Sequence, residues 1–312
     1  SKGTALTLPI VTSALGAAGE VAIASLIKRA PLASSLAQSF AAQGFRLALV
    51  GGPVRDALLG RLGNDLDFTT DARPEVTKKI LQAWAENVWD TGINFGTVAG
   101  KRGDTTVEVT TYRTESYDPE SRKPDVEYGD SINGDLSRRD FTVNSMALEL
   151  TTKTPEFIDP FNGLEDLAKK VLRTPSKAEN SFSDDPLRMM RAVRFAAQLG
   201  FDIFPETFEA LKTEKDRLEI ISMERISDEL NKIILCKKPS YGFLLLDACD
   251  ILPIIFPEFM KLKGVDTEDG KGHKDNFYHT LQVLDNISDN TDDLWWRWAA
   301  ILHDIAKPQT KR

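Results

Sequence analysis

Cysteine, histidine and long apolar runs are all scarce in this sequence. The only cysteines, Cys236 and Cys249, lack metal-type spacing, which excludes a disulfide framework and a cysteine-based metal site. No run of about 18 consecutive apolar residues occurs, so no membrane-spanning helix is predicted. Two reduced thiols are typical of a cytoplasmic protein, which is the location we predict.

Positive charge is also in deficit, because the formal net charge is −8. Such a protein is not expected to coat nucleic acid indiscriminately, since phosphate binding depends on basic surface. A nucleic-acid substrate remains compatible with this charge if basic residues line one groove. Two basic clusters stand out: Arg138–Arg139, and the series Arg188, Arg191 and Arg194.

The first 30 residues differ from the rest of the chain. Thr4–Ile27 is apolar and rich in small residues, and Lys2 precedes it, which is also the pattern of a secretory signal. Pro9, Glu20 and the absence of an initiating Met argue against a signal. We predict a weakly ordered leader over residues 1–30.

Residues 31–155 alternate between helical and strand patterns, which predicts an α/β domain. Strand signals then fade, and we predict an all-α region with a helical domain over residues 156–238 and a helical body over residues 239–312. Composition changes near residue 151, as either ordinary divergence between domains or a fusion would produce.

The predicted elements of the α/β domain are short. The helices are Pro31–Gln43, Val54–Leu59 and Pro74–Ala85, and the strands are Arg46–Val50, Asp65–Thr69, Thr97–Gly100, Thr106–Arg113 and Met146–Leu150. The segment Thr114–Asp130 is rich in Asp, Pro and Ser and predicts a long mobile loop.

The sharpest signal combines a glycine pair with an Asp-x-Asp pair. Gly51 and Gly52 follow a predicted strand and precede a predicted helix, where backbone N–H groups can approach a triphosphate closely. Asp65 and Asp67 are two apart in a strand, so both carboxylates leave one face of the sheet. Such a pair can hold two Mg²⁺ ions. Asp-x-Asp alone favours an exposed strand end, but the preceding Gly-Gly-x-x-Arg-Asp favours a catalytic site.

These motifs resemble those of class II tRNA nucleotidyltransferases, the bacterial family of CCA-adding enzymes and poly(A) polymerases. The resemblance extends from about Leu47 to Leu235. It implies a polymerase-β-like nucleotidyltransferase fold and two-metal catalysis, with Mg²⁺ bound by Asp65 and Asp67. It also implies CTP and ATP as substrates and the 3′ end of tRNA as their acceptor. No membrane partner is expected, and the sequence indicates no oligomeric state.

A third carboxylate is expected near the attacking hydroxyl, as a base or an additional metal ligand. Glu108 is the candidate, because a strand directs it away from the face that carries Val107 and Val109. The alternative is a solvent-facing Glu on an edge strand.

The segment Leu136–Met146 resembles the family's ribose-recognition motif. The Asp140 carboxylate only accepts hydrogen bonds and can therefore bind a sugar hydroxyl, while Arg139 and Asn144 supply donors. The alternative is a surface ion pair between Arg138 and Asp140. The candidate nucleotide-binding residues of this domain are Gly51, Gly52, Arg55, Arg139, Asp140 and Asn144.

A helix predicted to begin at Asp185 carries the candidate base-recognition residues. Cytosine and adenine share an amino donor beside a ring-nitrogen acceptor, so Asp185 can accept from the amino group while Arg188 donates to the ring nitrogen. Uracil and guanine carry a carbonyl in place of that amino group, so the carbonyl oxygen and the Asp185 carboxylate would face each other as two acceptors. The family resemblance implies the same roles, adds Arg191 to the site, and implies that Arg225 and Glu229 brace the helix. The alternative is a capped helix with a solvated basic stripe.

The three histidines of the chain all lie in its last forty residues. His303 and Asp304, with His279 upstream, resemble the start of an HD-type metal phosphohydrolase module and form a possible second metal site. Such a module usually needs a later Asp, so a truncated and inactive remnant is the alternative.

We therefore predict an enzyme that adds C and A residues to the 3′ end of tRNA. The segment Gly44–Leu49 lacks the basic element expected in bacterial poly(A) polymerases, which favours tRNA as the substrate. A poly(A) polymerase and an enzyme that adds only CC or only A remain alternatives. A metal phosphohydrolase acting on RNA ends is the alternative from a different class.

Overall fold

The computed structural model describes residues 31–92, 95–116, 125–129, 131–263 and 273–310. The leader predicted over residues 1–30 lies outside these ranges. The chain divides into two compact units, one ending at Lys169 and the other beginning at Lys170. A mixed sheet dominates the first unit and helices dominate the second, so the predicted fold class is confirmed.

The first unit is built on a seven-stranded sheet. Its strands are β1 (Leu47–Val50), β2 (Asp65–Thr70), β3 (Asn87–Gly92), β4 (Thr97–Arg102), β5 (Thr105–Thr111), β8 (Ala147–Glu149) and β9 (Glu156–Ile158), and a separate two-stranded ribbon contains β6 (Arg113–Ser116) and β7 (Asp125–Tyr128). The order in the sheet is β3-β4-β5-β2-β1-β8-β9. The pair β2 and β5 is parallel, and the other neighbours are antiparallel.

Helices cover both faces of the sheet, so the inner strand β1 is buried along its whole length. They are α1 (Pro31–Ala42), α2 (Gly52–Leu58), α3 (Pro74–Trp84), α4 (Ile132–Ser137) and α5 (Gly163–Lys169). Pro74 begins α3 at a position that needs no N–H donor, and Ile80, Leu81 and Trp84 form its buried face.

The two faces of the sheet have different roles. Leu81 of α3 lies over Gly100 in β4, on the same face as Val107. On the opposite face, Leu136 of α4 packs against Ala48, Val50 and Ala147. The carboxylates of Asp65 and Asp67 in β2 and of Glu108 in β5 also lie on this second face, beside the area that α4 covers.

The predicted elements before residue 151 are confirmed with shifts of one or two residues at their ends. The strands β3 and β9 were not predicted. Part of the segment expected to be a long loop forms the ribbon of β6 and β7; residues 117–124 and 130 lie outside the described ranges. The first unit ends at Lys169, and within it β9 pairs with β8 and extends the sheet beyond residue 155.

The second unit is helical apart from a short parallel pair, β10 (Val171–Leu172) with β11 (Asp202–Ile203). Within the described residues, none of its helices, nor any in the first unit, is long and apolar enough to cross a membrane. The helices are α6 (Ala178–Asp184), α7 (Leu187–Leu199), α8 (Pro205–Glu214), α9 (Met223–Ile234), α10 (Pro239–Ala248), α11 (Leu252–Ile255), α12 (Pro257–Met260), α13 (His273–Ser288) and α14 (Leu294–Thr310).

Candidate active site

Three carboxylates come together on one face of the first unit's sheet. The parallel pairing of β2 and β5 places Asp67 opposite Glu108, and Asp65 precedes Asp67 by two residues. Alternation along a strand directs all three side chains to the same face. Val107 and Val109 are buried while Glu108 is exposed, so Glu108 faces away from the two valines as predicted. Its strand β5 lies between β4 and β2 rather than at an edge of the sheet.

The charges of these carboxylates influence one another. The pKa of Asp67 is raised from 3.8 to about 6, mainly by burial. Like-charge repulsion from Glu108 and Asp65 contributes to this rise, and the Arg139 guanidinium partly opposes it. A group of oxygen ligands whose negative charge is only partly compensated fits a hard divalent cation such as Mg²⁺.

Among the described residues, no group of three or more His, Cys, Asp or Glu side chains is arranged to hold a metal ion unaided. This finding is compatible with a magnesium site at Asp65 and Asp67. Mg²⁺ typically takes one or two protein carboxylates and completes its shell with substrate phosphates and water. The two Asp residues could therefore supply part of a ligand set that a nucleoside triphosphate would complete.

The Gly51–Gly52 turn lies between β1 and α2, beside Arg139. Gly51 has a φ of +73°, which disfavours a side chain. A Cβ at Gly51 would also lie 3.2 Å from Nη1 of Arg139. The turn therefore depends on glycine both for its backbone conformation and for the close approach of the arginine.

A chain of hydrogen bonds connects the predicted nucleotide-binding residues Arg55, Asn144 and Asp140. Nη1 of Arg55 donates to Oδ1 of Asn144 at 2.5 Å, and Nδ2 of Asn144 donates to Oδ1 of Asp140 at 3.1 Å. The same Asp140 oxygen accepts from the backbone N–H of Phe141 at 2.8 Å. All three side chains are buried, so this part of the site is rigidly positioned.

Asp135 is a site residue that the sequence analysis missed. Its carboxylate is 1% exposed and accepts from Nη2 of Arg138 at 3.0 Å and from Nη2 of Arg139 at 3.3 Å. It also accepts from the backbone N–H of Arg113 at 3.2 Å and from the hydroxyl of Thr69 at 3.4 Å. Asp135 therefore ties Arg139 to β2, the strand of the metal-binding candidates.

The charge of Asp135 is stabilised by these partners. Burial raises its pKa, but the Arg139 and Arg138 guanidiniums and the N–H of Arg113 outweigh that effect, so the pKa lies below its ordinary value. The spacing of Asp135, three and four residues before the two arginines on a helix, was the available sequence signal.

In the second unit, Asp185 and Arg188 lie where α6 ends and α7 begins. Oδ1 of Asp185 accepts from the N–H of Leu187 at 3.3 Å. The helix cap predicted at Asp185 is wrong by one residue, because Pro186 occupies the N-cap of α7 and Asp185 is the C-cap of α6. Oδ2 of Asp185 lies 3.9 Å from Nε of Arg188, and Nη1 of Arg188 donates to the hydroxyl of Ser181 at 3.0 Å. The two predicted base-recognition residues are thus adjacent, and Ser181 is a partner that the sequence analysis missed.

The other basic residues of α7 differ in their contacts. Arg191 is half-buried, and its guanidinium lies 5.3 Å from the ring centre of Phe195. Arg194 forms a buried ion pair with Glu229 of α9. Glu229 therefore braces α7 as expected, whereas Arg225 is exposed and its backbone N–H is capped by Ser222.

The structure does not bring His279, His303 and Asp304 together as a metal site. Both histidines are exposed, and Oδ2 of Asp304 accepts from the hydroxyl of Thr280 at 3.0 Å. His303 and Asp304 are close only because they are adjacent in sequence, with 3.6 Å between Nδ1 and Oδ1. The predicted second metal site is thus not formed among the described residues.

Residues 47–173 match the family model described as the poly A polymerase head domain. Residues 200–262 match the model described as the probable RNA and SrmB-binding site of polymerase A. The chain belongs to the poly(A) polymerase and CCA-adding enzyme family. The first match includes the three sheet carboxylates and the segment around Asp140.

The chain is similar to named members of the family. It is 48% identical over 214 residues to a CCA-adding enzyme of Streptococcus pneumoniae serotype 19F (strain G54), a match that covers 67% of this chain and 52% of the relative. It also resembles the Bacillus stearothermophilus CCA-adding enzyme in complex with CTP, with a TM-score of 0.70 and 30% identity, over 88% of this chain and 62% of that one. The chain thus spans about half the length of the curated relatives that it matches.

A further structural relative is a tRNA nucleotidyltransferase complexed with a primer tRNA and an incoming ATP analog. The similarity has a TM-score of 0.62 at 25% identity and covers 88% of this chain and 84% of the relative. Members of the family with the same fold therefore bind both kinds of substrate that the sequence predicted.

Proposed function

We propose that this chain adds C and A residues to the 3′ end of tRNA, using CTP and ATP and releasing pyrophosphate. The proposal is supported by the relatives named CCA-adding enzymes and by the family membership of the chain. The observation that carries it is the placement of Asp67, Glu108 and Asp65 on one face of the sheet, where Glu108 and Asp65 act on the charge of Asp67.

Asp65 and Asp67 would hold magnesium, which when bound lowers the pKa of the attacking hydroxyl and neutralises charge on the triphosphate. In the reaction, the 3′ oxygen of the RNA bonds to the α-phosphorus, the bond to the bridging oxygen of the β-phosphate breaks, and pyrophosphate leaves. Glu108, exposed beside Asp67, can accept the proton of the attacking hydroxyl.

The residues around Gly51 would bind the rest of the nucleotide. The Arg139 guanidinium, held by Asp135 close to Gly51, would pair with the phosphates. The Asp140 carboxylate, held by Asn144, would accept from a ribose hydroxyl and so favour ribonucleotides. Arg55 keeps Asn144 in place from the other side.

Asp185 and Arg188 would read the base. Protein groups in fixed positions that match the hydrogen-bonding edge of a base can select it without a nucleic-acid template. Asp185 would accept from the amino group shared by cytosine and adenine, and Arg188 would donate to the neighbouring ring nitrogen. Arg191 would support nucleotide binding from the same helix. The 3.9 Å separation of the Asp185 and Arg188 side chains is compatible with reading two adjacent atoms of one base edge.

The location that we propose is the cytoplasm. Cys236 and Cys249 are both free and buried, and burial raises the pKa of each thiol to about 11. Unreactive, reduced thiols are typical of a reducing compartment.

The experiment that tests the function uses Mg²⁺ and a tRNA that lacks its last three nucleotides. CTP, ATP, UTP and GTP are supplied singly and together, and the products are separated at single-nucleotide resolution. We expect two C and one A, followed by a stop. A long A ladder would instead identify a poly(A) polymerase, and CC or A alone a partial enzyme.

Absence of extension, with phosphate released from RNA ends, would instead support the phosphohydrolase. The exposed side chains of His279 and His303, and the hydrogen bond from Thr280 that engages Asp304, do not favour that outcome.

A further inference from the structure

Ser181 makes a contact with each of the two proposed base-recognition residues. Its hydroxyl accepts from Nη1 of Arg188 at 3.0 Å. Its backbone carbonyl accepts from the N–H of Asp185 at 3.1 Å. One residue of α6 therefore helps to fix both the guanidinium of Arg188 and the backbone from which the Asp185 carboxylate projects.

Ser181 is itself held in a rigid position. Its side chain is 3% exposed, and the neighbouring Phe182 is fully buried. The end of α6 is also tied down from outside, because Arg217 donates to the carbonyl of Ser183 from Nε at 3.2 Å and from Nη2 at 2.8 Å. A partner that cannot move restricts the arginine that it contacts.

The position of Arg188 matters because a hydrogen bond to a base edge depends on direction as well as distance. Arginine has several rotatable bonds, and its planar fork is specific only when its orientation is fixed. Asp185, at 3.9 Å, is beyond hydrogen-bond distance from Nε, so it does not fix the guanidinium in the way that the Ser181 hydroxyl does.

We propose that Ser181 is a positioning residue for nucleotide selection, which holds Arg188 at the angle that distinguishes cytosine and adenine from uracil and guanine. The proposal rests on base reading by Asp185 and Arg188. It predicts that loss of the Ser181 hydroxyl weakens discrimination between bases more than it weakens nucleotidyl transfer itself.

The test compares Ser181→Ala with Ser183→Ala. Each change removes one serine hydroxyl from the same helix. Ser183→Ala is the control, because Arg217 contacts the backbone carbonyl of Ser183, which the substitution retains. Incorporation of C and of U into a tRNA that lacks its last three nucleotides is measured separately for each variant. We expect the ratio of kcat/KM for CTP to that for UTP to fall about tenfold in Ser181→Ala.

The same ratio is expected to stay within about twofold of the parent chain in Ser183→Ala. The proposal is overturned if Ser181→Ala folds, as judged by its circular dichroism and Tm, and keeps the parent ratio. The variant Arg188→Ala, measured in the same way, distinguishes a failure of positioning by Ser181 from a failure of base reading by Arg188. If Arg188→Ala loses selectivity while Ser181→Ala keeps it, only the role of Ser181 is wrong. If Arg188→Ala also keeps selectivity, base reading by Arg188 is wrong and the role of Ser181 falls with it.

Discussion

Asp67 and Glu108 occupy directly opposed positions on the parallel strands β2 and β5, with their side chains on one face of the sheet. The Glu108 charge therefore opposes ionisation of Asp67, and this repulsion adds to the effect of burial, so that the pKa of Asp67 is raised to about 6. A site that repels its own charges is poised to bind a cation.

The first prediction concerns stability without metal. The pKa of Asp67 is about 6 in the folded chain and 3.8 when unperturbed, so the folded state binds more protons between those values. Stability should rise as pH falls through 6 towards 4. At pH 7.5 in EDTA, Asp67→Asn should therefore raise the Tm by about 2 °C or more.

The advantage of Asp67→Asn should disappear near pH 4, where the native carboxyl is protonated. Asp71→Asn is the control, because Asp71 lies beyond the end of β2 and accepts from the backbone N–H of Arg46. Thermal unfolding from pH 4 to 8 measures both variants. An unchanged or lower Tm for Asp67→Asn at pH 7.5 would contradict the charge repulsion.

The second prediction concerns Asp135. Replacement by Asn leaves Arg138 and Arg139 without the buried charge that both contact, which should lower the free energy of unfolding by about 3 kcal/mol. Arg139 should also lose its fixed position near Gly51, so KM for the nucleotide should rise. Urea denaturation and steady-state kinetics measure the two effects.

Asp104→Asn, in the exposed turn after β4, serves as the control for Asp135→Asn. It removes the same charge from the same unit and should leave both quantities near the parent values. A parent-like KM in Asp135→Asn would show that Arg139 does not depend on Asp135.

The third prediction concerns Gly163, at the start of α5. A Cβ there would clash with the carbonyl oxygen of Thr142 and lie 2.9 Å from Cγ of Met146. Gly163→Ala should therefore displace the turn that carries Asn144 and lower the free energy of unfolding by about 2 kcal/mol.

Gly134→Ala is the matched control, because a Cβ at that helical position meets only ordinary contacts, the nearest 3.8 Å away on Ser131. It should be neutral or slightly stabilising. Chemical denaturation of the two variants measures the difference. Equal stabilities would show that the close approach of Gly163 to the turn is not required.

The sequence predicted the parts of the fold whose patterns are local. Alternation correctly predicted that Asp65 and Asp67 share one face of β2 and that Glu108 faces away from Val107 and Val109, because the period of a strand fixes side-chain direction. The parallel pairing that brings Glu108 beside Asp67 was not predicted. The strands β3 and β9 were missed, because Asn87–Gly92 mixes polar and turn residues and Glu156–Ile158 has three residues. Pairing with neighbouring strands, rather than propensity, makes these segments extended.

The supporting residues of the site were missed for a related reason. Ser181 carries no sequence signal, and the spacing of Asp135 from Arg138 and Arg139 is the only local signal of its role; the other partners of both residues are brought to them by folding. Thr69 is 66 residues from Asp135 along the chain, and Ser181 is seven residues before Arg188, across the break between two helices. A pattern of local periodicity does not encode such contacts.

The most direct test of the account is the rate of C incorporation by Asp67→Asn. The parent chain, Asp67→Asn and the control Asp71→Asn are each given Mg²⁺, CTP and a tRNA that lacks its last three nucleotides. Loss of a metal-binding carboxylate should slow incorporation roughly hundredfold or more in Asp67→Asn while the fold remains intact, and Asp71→Asn should stay within about twofold of the parent. Incorporation at the parent rate by a folded Asp67→Asn protein would contradict the assignment of this sheet face as the site of nucleotidyl transfer.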